Sequence, residues 1–206
     1  MLIAVSDLAV AARELEARYG VASVEGGRHP GWGTANRIVP LGDAYLELVA
    51  IADESEARQS LLGRWVAARR GGLARPLGWA VRTDGLDDVA GRLGLTVHTG
   101  SRDLPGGGVV RWRMAGLEQA VAEPSLPFFL EWAPGTPFPG RTAAAHPAGA
   151  VRIAALELEG DADRLAVWLG EHDLPIRVRP GEAAVAAIEL TGASGKRRIA
   201  SLVGSK

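Results

Sequence analysis

Apolar positions in the first fifty residues change period twice. Leu2–Val5 is a short apolar run and predicts a strand. Leu8, Ala11, Ala12, Leu15 and Tyr19 then recur at helical spacing. Asp7 stands at the N-cap position and Gly20 where a helix stops in the left-handed conformation. Gly26–Gly33 has the composition of a turn and predicts a loop. Thr34–Leu41 and Tyr45–Ile51 read as strands joined tightly at Gly42-Asp43. In the second of these, alternation places Tyr45, Glu47 and Val49 on one face and Leu46 and Leu48 on the other.

The order strand, helix, three strands then returns. Leu77–Arg82 is a predicted strand and Leu86–Leu93 a helix with Asp84 as its cap and Gly94 as its stop. Thr96–Ser101, Val109–Met114 and Phe128–Ala133 follow as strands, the first two joined through Gly106-Gly107-Gly108. Leu130-Glu131 matches Leu46-Glu47, so Glu131 is expected beside Phe129 and Ala133, with Leu130 and Trp132 opposite. A third round has a strand at Val151–Leu158 and a helix capped by Asp161 or Asp163 and ended by Gly170. Strands at Ile176–Arg179, Ala184–Leu190 and Arg197–Val203 complete it. The helix ends Tyr19-Gly20, Leu93-Gly94 and Leu169-Gly170 recur at about 75 residues, the length of a duplicated module rather than of a solenoid repeat.

Two connectors separate the modules. Asp53–Arg70 predicts one amphipathic helix with Leu61, Leu62, Trp65 and Val66 on a face, stopped by Gly71-Gly72. Residues 134–150 form a strap rich in Pro, Gly and Ala. The chain thus divides into module one (1–52), a linker helix (53–76), module two (77–133), the strap and module three (151–206), an α+β architecture of repeated βαβββ units. Module three has no partner within this scheme. It is expected to dock on its counterpart in a second chain, giving a homodimer.

Composition narrows the function classes. With 47% hydrophobic and 23% charged residues the chain is of ordinary globular type. Its net charge of −1, with no basic stripe, argues against nucleic acid as partner. It has no cysteine, which removes disulfides, thiolate metal sites and thiol nucleophiles and fits a cytoplasmic protein. No apolar run approaches the ~20 residues that span a bilayer, so no membrane partner is expected. No nucleophile triad, phosphate loop or dinucleotide fingerprint is present.

The run Gly26-Gly27-Arg28-His29-Pro30-Gly31-Trp32-Gly33-Thr34-Ala35-Asn36-Arg37, followed by Leu41–Ile51, resembles the glyoxalase-like domain family of the vicinal oxygen chelate superfamily. The likeness covers roughly residues 1–147. It implies two βαβββ modules whose sheets curl around one cavity. It also implies either a small-molecule enzyme (lyase, isomerase or hydrolase chemistry on an oxygen-rich substrate) or a protein that sequesters a small molecule without turnover. Metal-dependent members take ligands from the first and last strand of each module. Carried over, Glu47 and Glu131 become the catalytic carboxylates and the ligands of a divalent ion. The first-strand positions, at or before Met1 and near Pro76-Leu77, supply no donor, so the shell is incomplete. An upstream natural start carrying a histidine is one expectation that would complete it.

Two carboxylates in one cavity require a metal, a cation or a raised pKa, because like charges oppose joint ionisation. Arg111 and Arg113 share a strand face on either side of Trp112, and Arg111 is a candidate counter-charge or substrate carboxylate binder. His29, Trp32, Thr34 and Asn36 form the other candidate binding group, with Trp79 as a further pocket wall. Arg141 and His146 lie on the strap, placed to cover a cavity mouth.

Overall fold

The computed structural model describes residues 1–69, 74–193 and 195–202. Module one is β1 (Leu2–Ala4), α1 (Leu8–Tyr19), β2 (Val24–His29), β3 (Thr34–Pro40) and β4 (Tyr45–Ile51). The α1 caps follow the sequence. Asp7 accepts from the Val10 N–H, and Gly20 at φ 67 closes the last turn onto Glu16. The Gly26–Gly33 loop is a correction: its first half, Gly26–His29, belongs to strand β2, and only Pro30–Gly33 turns. Gly26 and Gly27 serve close packing between strands, and Gly31 and Gly33 the reversal.

The linker is two helices, α2 (Glu54–Gln59) and α3 (Leu61–Arg69). Ser60 breaks them with an extended backbone. Its hydroxyl accepts from the Gly63 N–H at 2.9 Å and donates to the Trp32 carbonyl at 2.9 Å. The expected stop at Gly71-Gly72 lies outside the described residues.

The expected strand Leu77–Arg82 divides at Trp79. β5 (Pro76–Gly78) runs antiparallel to β1, whereas β6 (Ala80–Arg82) runs parallel to β9 (Phe128–Trp132). Module two continues through α4 (Leu86–Leu93), β7 (Val97–Asp103), β8 (Val109–Ala115) and α5 (Leu117–Ala122) to β9. Helix α5 fills the connection between the strands at Val109 and Phe128, and it starts from Gly116 at φ 87. Modules one and two join edge to edge through Arg28 and Asp103. The result is one nine-stranded sheet in the order β5-β1-β4-β3-β2-β7-β8-β9-β6. The glyoxalase-like pair of half-barrels is therefore present.

Module three is β10 (Val151–Glu159), α6 (Ala162–Leu169), β11 (Ile176–Arg179), β12 (Ala184–Gly192) and β13 (Gly195–Ile199). It keeps the βαβββ order but winds differently. Its first strand pairs with its second and third, where module one pairs first with fourth. The expected end at Val203 is outside the described residues. Asp161 caps α6. The apolar face of this module is covered within the chain: Leu156, Leu158, Trp168 and Ile188 share a buried cluster with Leu15, Leu86 and Phe129. Trp168 Nε1 donates to the Pro127 carbonyl at 2.9 Å. The exposed face from which a homodimer was inferred is thus not exposed.

Candidate active site

The concave side of the large sheet holds a narrow cleft of about 40 Å³, and Glu47 reaches into it from β4. Leu46 and Leu48 face the helices as alternation requires and are fully buried. Glu47 Oε1 accepts from Asn36 Nδ2 at 2.7 Å. The same amide nitrogen is 3.3 Å from His29 Nε2, and His29 Nδ1 is 2.8 Å from Thr34 Oγ1. These contacts fix the histidine tautomer. Asn36 donates one proton to the carboxylate and the other to Nε2, so Nδ1 carries the imidazole proton and donates to Thr34. Burial pushes the His29 pKa down. The Glu47 charge opposes this and the Arg102 charge adds to it. His29 therefore sits neutral behind the carboxylate, with Nε2 3.9 Å from Glu47 Oε1. Glu47 Oε2 has no partner among the described residues.

Three indoles wall the cleft. Trp32 and Trp112 meet edge to face at 5.6 Å between ring centres, and Trp112 and Trp132 at 5.5 Å. Trp112 lies across β7 because its cross-strand neighbour is Gly100. A Cβ there would stand 2.5 Å from the indole nitrogen. Arg102, also on β7, lines the cleft and is only 8% exposed.

The second carboxylate is elsewhere, because the side-chain parity of β9 is opposite to that expected. Leu2 and Ala80 stand equally far before α1 and α4. Leu2 pairs with Glu47, whereas Ala80 pairs with Phe128. Phe128 therefore takes Glu47's place, and Leu130 and Trp132 join it on the cleft side. Glu131 points to the helix side. There its Oε1 accepts from the Leu86 N–H at 3.2 Å, and its Oε2 from Arg113 at 2.9 Å. A carboxylate at the N-terminus of α4 meets unpaired N–H groups and the positive end of the helix dipole, and Asp84 is not needed as a cap. Arg113 is held by Glu131 and Asp87, and Arg111 is exposed on that same face, away from the cleft.

The expected site residues thus separate. His29, Trp32, Asn36 and Glu47 meet in the cleft. Thr34 lies behind His29. Trp79 is core, with Nε1 donating to the Ser125 carbonyl at 3.0 Å, and it also borders a second, larger chamber. Glu131 and Arg111 are not part of the cleft. Arg102, Trp112 and Trp132 are, and alternation along β8 is the signal that pairs Trp112 inward with Arg111 outward.

The residues do not fit a divalent ion. At the four first- and last-strand positions stand Leu2, Glu47, Ala80 and Phe128, a single donor. A catalytic ion takes about three protein groups, and among the described residues no cluster of three His, Asp or Glu is found. The first-strand position of module two is Ala80 rather than Pro76-Leu77, which belongs to the edge of module one.

Residues 1–172 match the sequence profile of the Glyoxalase-like domain, and the chain belongs to that family, of the vicinal oxygen chelate type. No protein of curated function matches it. A hypothetical protein from Staphylococcus aureus has a similar fold, with 13% identity and a TM-score of 0.58 over 85% of this chain and 83% of its own. Methylmalonyl-CoA epimerase from Mycobacterium tuberculosis aligns at 23% identity and a TM-score of 0.46 over 66% and 85% of the two chains. A Streptomyces coelicolor epimerase variant in complex with 2-nitronate-propionyl-CoA aligns at 19% and 0.46 over 66% and 94%. Family and fold define a small-molecule enzyme or binding protein. No helix among the described residues is long and apolar enough to cross a membrane.

Proposed function

We propose that this chain is a glyoxalase-like enzyme of isomerase or lyase type, in which Glu47 takes a proton from carbon beside a carbonyl of a small oxygen-rich molecule. One observation carries the reading. Glu47 is held through one oxygen by a neutral amide, and its other oxygen is free at an aromatic-walled cleft. A carboxylate that is oriented by a hydrogen bond and makes no ion pair with an arginine or lysine side chain among the described residues is suited to act as a general base. His29, neutral and engaged through both nitrogens, serves to orient Asn36 and hence Glu47.

The test is solvent exchange. In D₂O, the wild-type protein should introduce deuterium next to the carbonyl in at least one member of a panel of ketones, esters and 2-oxo acids, read by NMR. Glu47→Gln should slow this by roughly 10²–10⁴-fold. Equal exchange by both proteins would refute the assignment of Glu47. A second reading, sequestration without turnover, is favoured by the Trp32, Trp112 and Trp132 wall, which suits a planar ligand. It predicts tight ligand binding with no exchange in either protein.

A further inference from the structure

Arg102 is a buried cation that forms no ion pair among the described residues. Its Nε is fully buried and has no hydrogen-bond partner. No hydrogen bond or ion pair of its guanidinium is found among the described residues, although nine ion pairs of other arginines and a lysine are formed elsewhere among them. Its stem is packed against Gly27 at the junction of the modules, where a Cβ on Gly27 would lie 3.1 Å from Arg102 Cγ. The side chain is thereby directed into the cleft, whose only acid among the described residues is Glu47. Removing a guanidinium from water without a partner is unfavourable, and fold packing gains nothing from it. An anion supplied by a ligand would offset that cost, and a carboxylate matches the guanidinium fork in two hydrogen bonds.

The cleft is too small to hold more than a head group. It adjoins a chamber of about 600 Å³ between modules one, two and three, and the two spaces share Leu2, Tyr45, Glu47, Phe128, Leu130 and Trp132. Away from that shared wall the chamber is bounded by Leu41, Trp79, Phe138, Ile153, Leu156 and Ile188, drawn from both modules, the strap and module three, with the exposed Asp43, Arg82 and Arg152 as its charged lining. Glu47 stands at the boundary between a cationic end and an apolar body.

We infer that the ligand is an amphipathic organic carboxylate, its carboxylate on Arg102 in the cleft and its apolar body in the chamber bounded by module three. The head-group and body assignments stand on Arg102 and the chamber alone. The position of the reacting carbon, at the boundary near the head, rests on the reading of Glu47 as base. Isothermal titration and tryptophan fluorescence with decanoate, decanamide and acetate separate these points. Decanoate should bind more tightly than both decanamide and acetate. Arg102→Met should weaken decanoate by roughly tenfold or more and leave decanamide unchanged. Its melting temperature should not fall, since an unpaired buried charge is removed. Glu47→Gln should bind decanoate at least as well as wild type, so loss of exchange in that variant reports on the base and not on the anion site. No binding of decanoate, equal binding of decanoate and decanamide, or an Arg102→Met variant that folds and binds decanoate unchanged would each overturn the inference.

Discussion

Asn36 decides the geometry of the cleft, because one amide group holds both Glu47 and His29. Asn36→Ala leaves a carboxylate oxygen and a buried imidazole nitrogen without their donor. The expected loss is about 1–3 kcal/mol, measured as a shift in urea midpoint. His29 adds a pH dependence whose sign follows from burial. The unfolded histidine takes up a proton near pH ~6.5, whereas the buried one resists protonation until lower pH. The corresponding stability is fully present above that pH and declines as the pH drops toward the folded value. His29→Gln should therefore show a smaller fall in urea midpoint between about pH 7.5 and about pH 5.5 than wild type. An equal fall in both proteins would mean that other groups carry the dependence.

At the scale of the element, β2 is a strand because its glycines admit neighbours. Gly26 has no positive φ, yet a Cβ there would lie 1.9 Å from Asn36 Oδ1 and 2.8 Å from the Asn36 carbonyl oxygen. Gly26→Ala should destabilise by about 1–3 kcal/mol through overpacking and should displace the Asn36 side-chain amide signals in NMR spectra. Gly31 is the contrast. Its φ of 74 lies in open space, so Gly31→Ala meets only left-handed strain, about 1 kcal/mol, and should leave those signals in place. The same contrast explains what could be read in advance. Helix α1 was legible to the residue because Asp7, the apolar spacing and Gly20 agree. Strand β4 was legible because Glu47 stands between two buried leucines and so marks the face that is not packed on the helices. Strand β9 misled because both of its faces are apolar: Phe129 packs beneath module three while Phe128, Leu130 and Trp132 face the cleft. Its lone glutamate then appeared to repeat Glu47. Arg102 was not legible at all, since its neighbours Ser101 and Asp103 give no periodic signal, and only the junction of two distant strands buries it.

For the whole molecule, module three acts as a wall and not as a free appendage. Trp168 joins it to module two in two ways. Its ring lies 6.2 Å from that of Phe129, and its Nε1 donates to the Pro127 carbonyl. From the other side, Arg92 of α4 donates to the carbonyls of Val167 and Trp168 at 2.9 Å each, occupying the open C-terminal end of α6. Phe129 belongs to β9, whose neighbours Phe128 and Leu130 bound both the cleft and the chamber. Loss of the indole therefore reaches the ligand-binding wall through a single strand. Trp168→Ala should cost about 3–5 kcal/mol. Because the buried cluster is continuous from Leu15 to Ile188, unfolding should remain one transition when followed by both far-UV circular dichroism and tryptophan fluorescence. Two separate transitions, with module three melting first, would show that the interface is weak. Removal of residues 150–206 takes Ile153, Leu156 and Ile188 from the chamber, and it should abolish binding of the apolar body while Arg102 and Glu47 remain in the chain.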